Sequence, residues 1–280
     1  MKAVGGALWF GGALRAKTTR ARSAARAATA CRVTPKTPMA SSPLEGKVIL
    51  VTGAAKRIGR SIALRLASEG AHVAVHYGTS RQEAVETAAD CEGKTFQADL
   101  AKAPEIERMF GEVERAYGRL DGLVNNAARY RPMKALEATE EDWDWIHNVN
   151  LKSVFFSCQA GARLMLKTGG GKIVNLSSLG GIRPWSDYAP YCSSKAGVIM
   201  LTKVLAKALA PQIAVNSVAP GVIHFDDDMP PEIQRFVAAT PMQRHGTGDE
   251  IAEAVTYFLT ASSFVTGQIL AVDGGLSLRA

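Results

Sequence analysis

The chain has 280 residues, 47% of them hydrophobic, enough for one sizeable core, and no apolar run is long enough to span a bilayer. Its net charge of +7 is concentrated in one place: residues 1–44 hold eight of the 33 Lys and Arg and no Asp or Glu, leaving 25 basic against 26 acidic side chains in the rest. The body therefore lacks the basic bias expected of a nucleic-acid binder. The four cysteines (Cys31, Cys91, Cys158, Cys192) form no C-x-x-C and the five histidines no metal-binding cluster, which argues against a disulfide framework or a metal site.

Residues 1–44 are rich in Ala, Arg, Ser and Thr, the composition of an organellar transit peptide. The alternative is an unused upstream start, with Met39 as the first residue. The first origin implies a soluble protein of the chloroplast or mitochondrion, the second a cytoplasmic one, and both leave 45–280 as the folded domain. From Lys47 onward, apolar runs of strand length alternate with amphipathic helical stretches. Residues 48–51 read as the first strand, followed by a helix that ends at Gly70. A strand at 73–75 precedes a helix at 81–91. A third strand, 95–98, closes on Asp99-Leu100, and 103–117 is an amphipathic helix. A fourth strand, 120–124, closes on Asn125-Asn126-Ala127, and one long helix covers about 140–167. Strand five is 172–177. The next helix runs to about 210, strand six spans 213–218 and closes on Ala219-Pro220-Gly221, and an irregular loop starts at Val222. A helix at 248–261 and a strand at 269–272 finish the chain. Strands alternating with helices predict an α/β fold, a doubly wound parallel sheet in a single domain.

Three stretches carry chemistry. Thr52-Gly53-Ala54-Ala55-Lys56-Arg57-Ile58-Gly59 joins the first strand to the first helix, where glycines let backbone amides approach a phosphate. The second strand ends in His76-Tyr77-Gly78-Thr79-Ser80-Arg81, with no acid before Glu83 to take a ribose 2′-hydroxyl. Lys56, Arg57 and Arg81, with the Thr79 and Ser80 hydroxyls, suit a 2′-phosphate instead. Tyr191 and Lys195 lie four apart at the start of a helical apolar pattern, so phenol and ammonium share a face, and a nearby cation is expected to lower the tyrosine pKa. Such a phenol can give its proton to a carbonyl oxygen, and Ser178, just after an apolar strand, can hydrogen-bond the same oxygen.

Together, Thr52-Gly53…Gly59, Asn125-Asn126-Ala127, Asn150, Ser178, Tyr191, Lys195 and Pro220-Gly221 occur in the order and spacing of the small single-domain short-chain dehydrogenase/reductases, a family that residues 45–280 resemble. The resemblance implies a Rossmann fold, an NADP(H) cofactor, a homo-oligomer (tetramer or dimer) and reduction of a small-molecule carbonyl substrate, without nucleic acid or membrane. It also implies a tetrad in which Tyr191 is the acid/base and Lys195 binds the nicotinamide ribose and depresses the tyrosine pKa. Ser178 would polarise the carbonyl, and Asn150 would hold a relay water. Asp99 would meet adenine, Asn125 would support sheet and cofactor, and Ile58, His76, Tyr77, Leu100, Ala127, Pro220, Gly221 and Ile223 would complete the cofactor contacts.

Three positions depart from the pattern: Arg57 replaces the middle glycine, Ala128 the glycine after Asn-Asn-Ala, and Phe225 a threonine. The glycine loop, His76-Tyr77 and Asp227-Asp228-Met229-Pro230-Pro231 are similar to the pteridine reductase branch, whose stacking aromatic falls at Tyr130. Ser178, however, stands where that branch carries an aspartate. Asp226-Asp227-Asp228 reads as a solvated loop, and Trp185 and Tyr188, lying between Ser178 and Tyr191, as walls of the substrate pocket. The expectation is an NADPH-dependent reductase of ketones such as 3-oxoacyl thioesters. The alternatives are a pterin or dihydrofolate reductase and a non-catalytic dinucleotide sensor.

Overall fold

A computed structural model describes residues 42–226 and 228–279, apart from the side chain of Glu232; of the expected leader, 1–41 lie outside the described residues. Seven strands form one sheet: β1 (Val48–Val51), β2 (His72–Tyr77), β3 (Lys94–Gln97), β4 (Gly122–Asn125), β5 (Gly171–Leu176), β6 (Ile213–Pro220) and β7 (Ile269–Val272). Their order is β3-β2-β1-β4-β5-β6-β7, and every neighbouring pair is parallel. Along β1, Ile49 and Val51 enter one core, and Val48 and Leu50 the other. This is the period-2 alternation of a strand whose two faces are both covered.

Helices α1 (Arg57–Ser68), α2 (Arg81–Asp90) and α8 (Gly248–Thr260) cover the first face, and α3 (Ala103–Tyr117), α5 (Ser153–Leu166) and α6 (Ala189–Leu209) the second. Short α4 (Glu140–His147) packs against α6. Because the strands are parallel, the loops leaving them gather at one edge. The order reverses between β1 and β4, where an open α/β sheet leaves a crevice for a ligand. Among the described residues no helix is long and apolar enough to cross a membrane.

Two expectations about the elements fail. The long helix over 140–167 is broken: a π turn, Asn148–Lys152, separates α4 from α5. Asn150 lies in that turn with its amide buried, accepting the backbone N–H of Arg129 at 2.7 Å and donating to its carbonyl at 2.8 Å. Apolar spacing does not reveal a turn held open by a side chain bonded to distant backbone. The loop after Val222 also contains an unforeseen helix, α7 (Pro231–Ala239). Its double proline reads as a breaker, but Pro231 occupies the first helical position, where its missing N–H has no partner to lose.

Candidate active site

The site is built from backbone groups fixed by side chains at the sheet's switch point. Thr52 leaves β1 with its hydroxyl accepting from the backbone N–H of Asn126 at 2.9 Å and of Ala127 at 3.1 Å. Asn126 returns its side-chain amide to the carbonyls of Thr52 (2.9 Å) and Gly53 (3.1 Å). The two loops are thereby stitched together. Gly53 has φ +62, and a Cβ added to Gly59 would stand 2.1 Å from the Gly53 carbonyl oxygen, so no other residue fits at Gly59 without moving the turn. Helix α1 starts with no side-chain cap and no acid in its first turn, leaving its N–H groups for an anion.

His76 is expected among the cofactor contacts, and its place proves more specific. It is 2% exposed and sits under the glycine turn. The Gly53 N–H donates to its Nδ1 at 3.0 Å, so Nε2 carries the proton and donates to the Ala98 carbonyl at 3.1 Å. One neutral imidazole therefore ties the phosphate-facing turn to the end of β3. Burial lowers its pKa to about 4.

A cleft of about 1120 Å³ opens over these loops. It is lined by Gly53, Arg57, Ile58, Gly59, His76, Tyr77, Thr79, Ser80, Asp99, Leu100, Ala127 and Ile223, all expected at a dinucleotide. Asn125, Tyr191, Lys195, Pro220 and Gly221 are expected there too but lie off its lining. Asn125 is buried and donates to Asn175 (2.9 Å) and Cys158 (3.2 Å), bracing β4 against β5 and α5. Gly221 donates its N–H to Val272 at 2.9 Å. The cationic lip is partly engaged: Lys56 pairs with Glu83 and Arg57 with Asp226, each at 3.6 Å. An uncapped helix start, a turn without room for side chains and hydroxyls at Thr79 and Ser80 fit a phosphorylated dinucleotide.

At one end of this cleft, Tyr130 meets Tyr191 edge-on at a ring separation of 4.9 Å. Helix α6 holds Tyr191 and Lys195 one turn apart. The turn after Ser178 lies directly on that helix, because a Cβ at Gly181 would be 2.7 Å from the Lys195 backbone. Trp185 stacks parallel to Tyr191 at 6.2 Å and tilts onto Phe236 of α7 at 5.7 Å. Tyr188 stacks on Tyr130 at 5.0 Å. Tyr188 is expected at the substrate pocket with Trp185, and the two rings meet at 5.7 Å; Phe236, Asn126 and Asp226 were absent from the sequence-derived site. Only Asn126 had a signal, the Asn-Asn-Ala motif itself.

The electrostatics correct one expectation. Lys195 does not lower the tyrosine pKa here: burial pushes the phenol up to about 12, with the Ser178 hydrogen bond pulling the other way. The lysine, 3% exposed, is itself lowered to about 8 by burial. Its ammonium donates to the Leu176 carbonyl at 2.8 Å and stands 5.9 Å from the tyrosine ring centre, so desolvation outweighs the charge. The side chain of Asn150, expected to hold a water, is occupied by Arg129 and by Ser194 at 3.2 Å. Among the described residues no group of His, Cys, Asp and Glu is placed to hold a metal.

Fold and cleft define a dinucleotide-binding oxidoreductase. The sequence model of a family described as enoyl-(acyl carrier protein) reductase matches residues 53–277. The 3-oxoacyl-[acyl-carrier-protein] reductase FabG of Staphylococcus aureus is 40% identical over 240 residues, 82% of this chain and 98% of that one. The Thermotoga maritima enzyme of the same name is 40% identical over 243 residues, 83% and 98% of the two chains. A solved Serratia marcescens short-chain dehydrogenase/reductase mutant superposes with a TM-score of 0.80 at 35% identity, covering 84% of this chain and 99% of that one. The chain belongs to the short-chain dehydrogenase/reductase family, and is an NADP(H)-dependent, ketone-reducing oxidoreductase.

The His76 strut has a pH signature. Its folded pKa of about 4 lies below the ordinary 6.5, so between those values the unfolded chain binds a proton that the folded chain refuses. Stability from this residue is complete above about pH 6.5 and falls by about 1.4 kcal/mol per pH unit as pH drops toward 4. Urea unfolding at pH 7 and pH 5 measures the drop, and His76→Asn, which cannot titrate, should shrink it; an unchanged drop refutes the strut's neutral state.

Proposed function

We propose that the natural substrate is the ketone of a 3-oxoacyl thioester or a comparable small carbonyl compound, reduced with Tyr191 as proton donor. The observation that carries this reading is the meeting of Ser178 and Tyr191 beside the buried Lys195, against Tyr130 of the cleft wall. It is supported by the likeness to the 3-oxoacyl-[acyl-carrier-protein] reductases.

When bound, the nicotinamide supplies the hydride. Tyr191 supplies the proton; burial raises its pKa, which makes the phenol a weaker acid that depends on support for the charge it develops. Ser178 is uncharged and gives one hydrogen bond to the carbonyl oxygen beside it. As the proton leaves Tyr191, negative charge appears on its oxygen in a water-poor site, where the fixed Lys195 ammonium stabilises it most. The same ammonium is the group to hold the nicotinamide ribose. Asn150 acts through Arg129, setting the loop that carries Tyr130. Tyr130, Trp185 and Tyr188 wall the substrate side and exclude water. At the other end, Thr79 and Ser80 with Lys56, Arg57 and Arg81 favour NADPH over NADH, since β2 ends without an acid. Asp99 faces the adenine end.

A second reading, pterin or dihydrofolate reduction, is favoured by Tyr130, a half-exposed ring beside Tyr191. Against it, Ser178 offers no carboxylate to accept from a pterin's ring nitrogens and amino group. Each buried donor left unpaired costs about 1–3 kcal/mol. The complete Tyr-Lys pair speaks against a sensor. We further read 45–280 as the catalytic domain, extended at its start by residues 42–44, whose Leu44 is buried in the core, and the active form as a homo-oligomer. Exposed Phe155 on α5 with Met200 and Val204 on α6 supports self-association.

Tyr191→Phe should lower kcat by about 10²–10⁴ while leaving the NADPH dissociation constant within a few fold; near-native turnover removes the residue from the role. The substrate class is decided by kcat/KM for 3-oxoacyl thioesters and small ketones beside dihydropterin and dihydrofolate. Higher values for the ketones are expected, and higher values for the pterins would make the second reading the function.

A further inference from the structure

The turn at the start of α1 carries a charged residue where its backbone suits glycine. Arg57 has φ 54, the left-handed region that side-chain-bearing residues rarely adopt. From there its guanidinium reaches the opposite lip of the cleft, formed by the segment that follows β6. Ile223, Phe225 and Asp226 of that segment line the same cleft as Arg57, and Asp226 Oδ2 lies 3.6 Å from Arg57 Nη2. The segment is seated over α1: the Phe225 ring approaches the start of α8 at Gly248, itself packed on Ser61 of α1. The neighbouring cation, Lys56, has its own partner in Glu83. Asp226 is thus the carboxylate that holds Arg57 across the cleft mouth.

We propose that Asp226 is an affinity-determining residue for the cofactor: its carboxylate occupies Arg57 in the unliganded protein and gives it up to a cofactor phosphate. The proposal rests on the reading of this cleft as the NADPH site. The Arg57 and Asp226 side chains are 65% and 66% exposed, and an ion pair that open to water is weak. A phosphate offers several oxygens to the same planar guanidinium, with one negative charge on each pyrophosphate group and up to two on a 2′-phosphate, and forms shorter, charge-assisted hydrogen bonds. The carboxylate loses that competition but reduces its net gain. It also leaves the cleft mouth carrying an unpaired negative charge once the phosphate has taken Arg57. Two sources of phosphate reach the turn: the pyrophosphate common to NADPH and NADH, and the 2′-phosphate of NADPH alone.

The test titrates the full chain with NADPH and with NADH, following nucleotide fluorescence, for the wild type, Asp226→Asn, Arg57→Ala and the double variant. Asp226→Asn should lower the NADPH dissociation constant by about two- to fivefold, the scale of one exposed charge pair, and added salt should shrink the difference. Arg57→Ala should weaken NADPH binding, and in that background Asp226→Asn should change nothing. A gain with both nucleotides assigns the pyrophosphate; a gain confined to NADPH assigns the 2′-phosphate. Unchanged or weaker NADPH binding by Asp226→Asn, or an equal gain without Arg57, overturns the proposal. Wild-type protein that binds neither nucleotide defeats the cofactor reading and this proposal with it.

Discussion

An ammonium held out of water sets the terms for the rest of the site. Lys195 comes from the second turn of α6 and reaches the C-terminal end of β5, where the Leu176 carbonyl accepts a hydrogen bond from it. Burying a charge is unfavourable unless it is bonded, and here one backbone carbonyl compensates only in part, so the lysine pKa falls to about 8. The same dry environment raises the Tyr191 phenol. Both groups are thereby driven toward their neutral forms. The phenol starts protonated with or without this shift, and as the weaker acid it needs a nearby cation to give up its proton. The charge that forms as it reacts then finds a cation already in place, whose orientation was settled by folding.

The surrounding loops are held with comparable economy of means. Thr52, His76, Asn126 and Asn150 each use a side chain to fix another loop's backbone, and three of the four are nearly inaccessible. Their common effect is to leave the edge of the cleft defined by peptide groups in set positions. A phosphate or a carbonyl then meets donors that need no rearrangement on binding. The aromatic groups beyond Tyr191 contribute differently. Trp185, Tyr188 and Tyr130 lie on loops, and Phe236 lies on α7, so substrate shape is read by segments outside the sheet.

The alternation of elements was legible in the sequence because each strand ends at a glycine or polar turn and each helix has an apolar stripe. The placement of Tyr191 and Lys195 on one helix face follows from their spacing, and the glycine turn from Gly53 and Gly59. What stayed hidden depends on contacts between distant residues. The π turn at Asn150 exists because an amide bonds Arg129, twenty-one positions away. The expected fall in the tyrosine pKa fails because spacing reports proximity but not burial or the direction of the ammonium. His76 reads as a cofactor ligand from its position at the end of β2, whereas its two ring nitrogens are taken by Gly53 and Ala98. Asp226 reads as one of a solvated acidic run until the fold sets it opposite Arg57.

The central claim is that the working reductase uses a protonated Tyr191 supported by a protonated Lys195. Its most direct test is the pH profile of kcat/KM for ketone reduction at saturating NADPH, taken above pH 6.5, where the His76 contribution to stability is complete. The account predicts a plateau near neutral pH and a fall on the alkaline side as Lys195 loses its proton, while alcohol oxidation by the same protein rises with pH. A reduction rate that climbs through the neutral and alkaline range would contradict it, since that profile requires a tyrosinate or another base in the role given to the phenol.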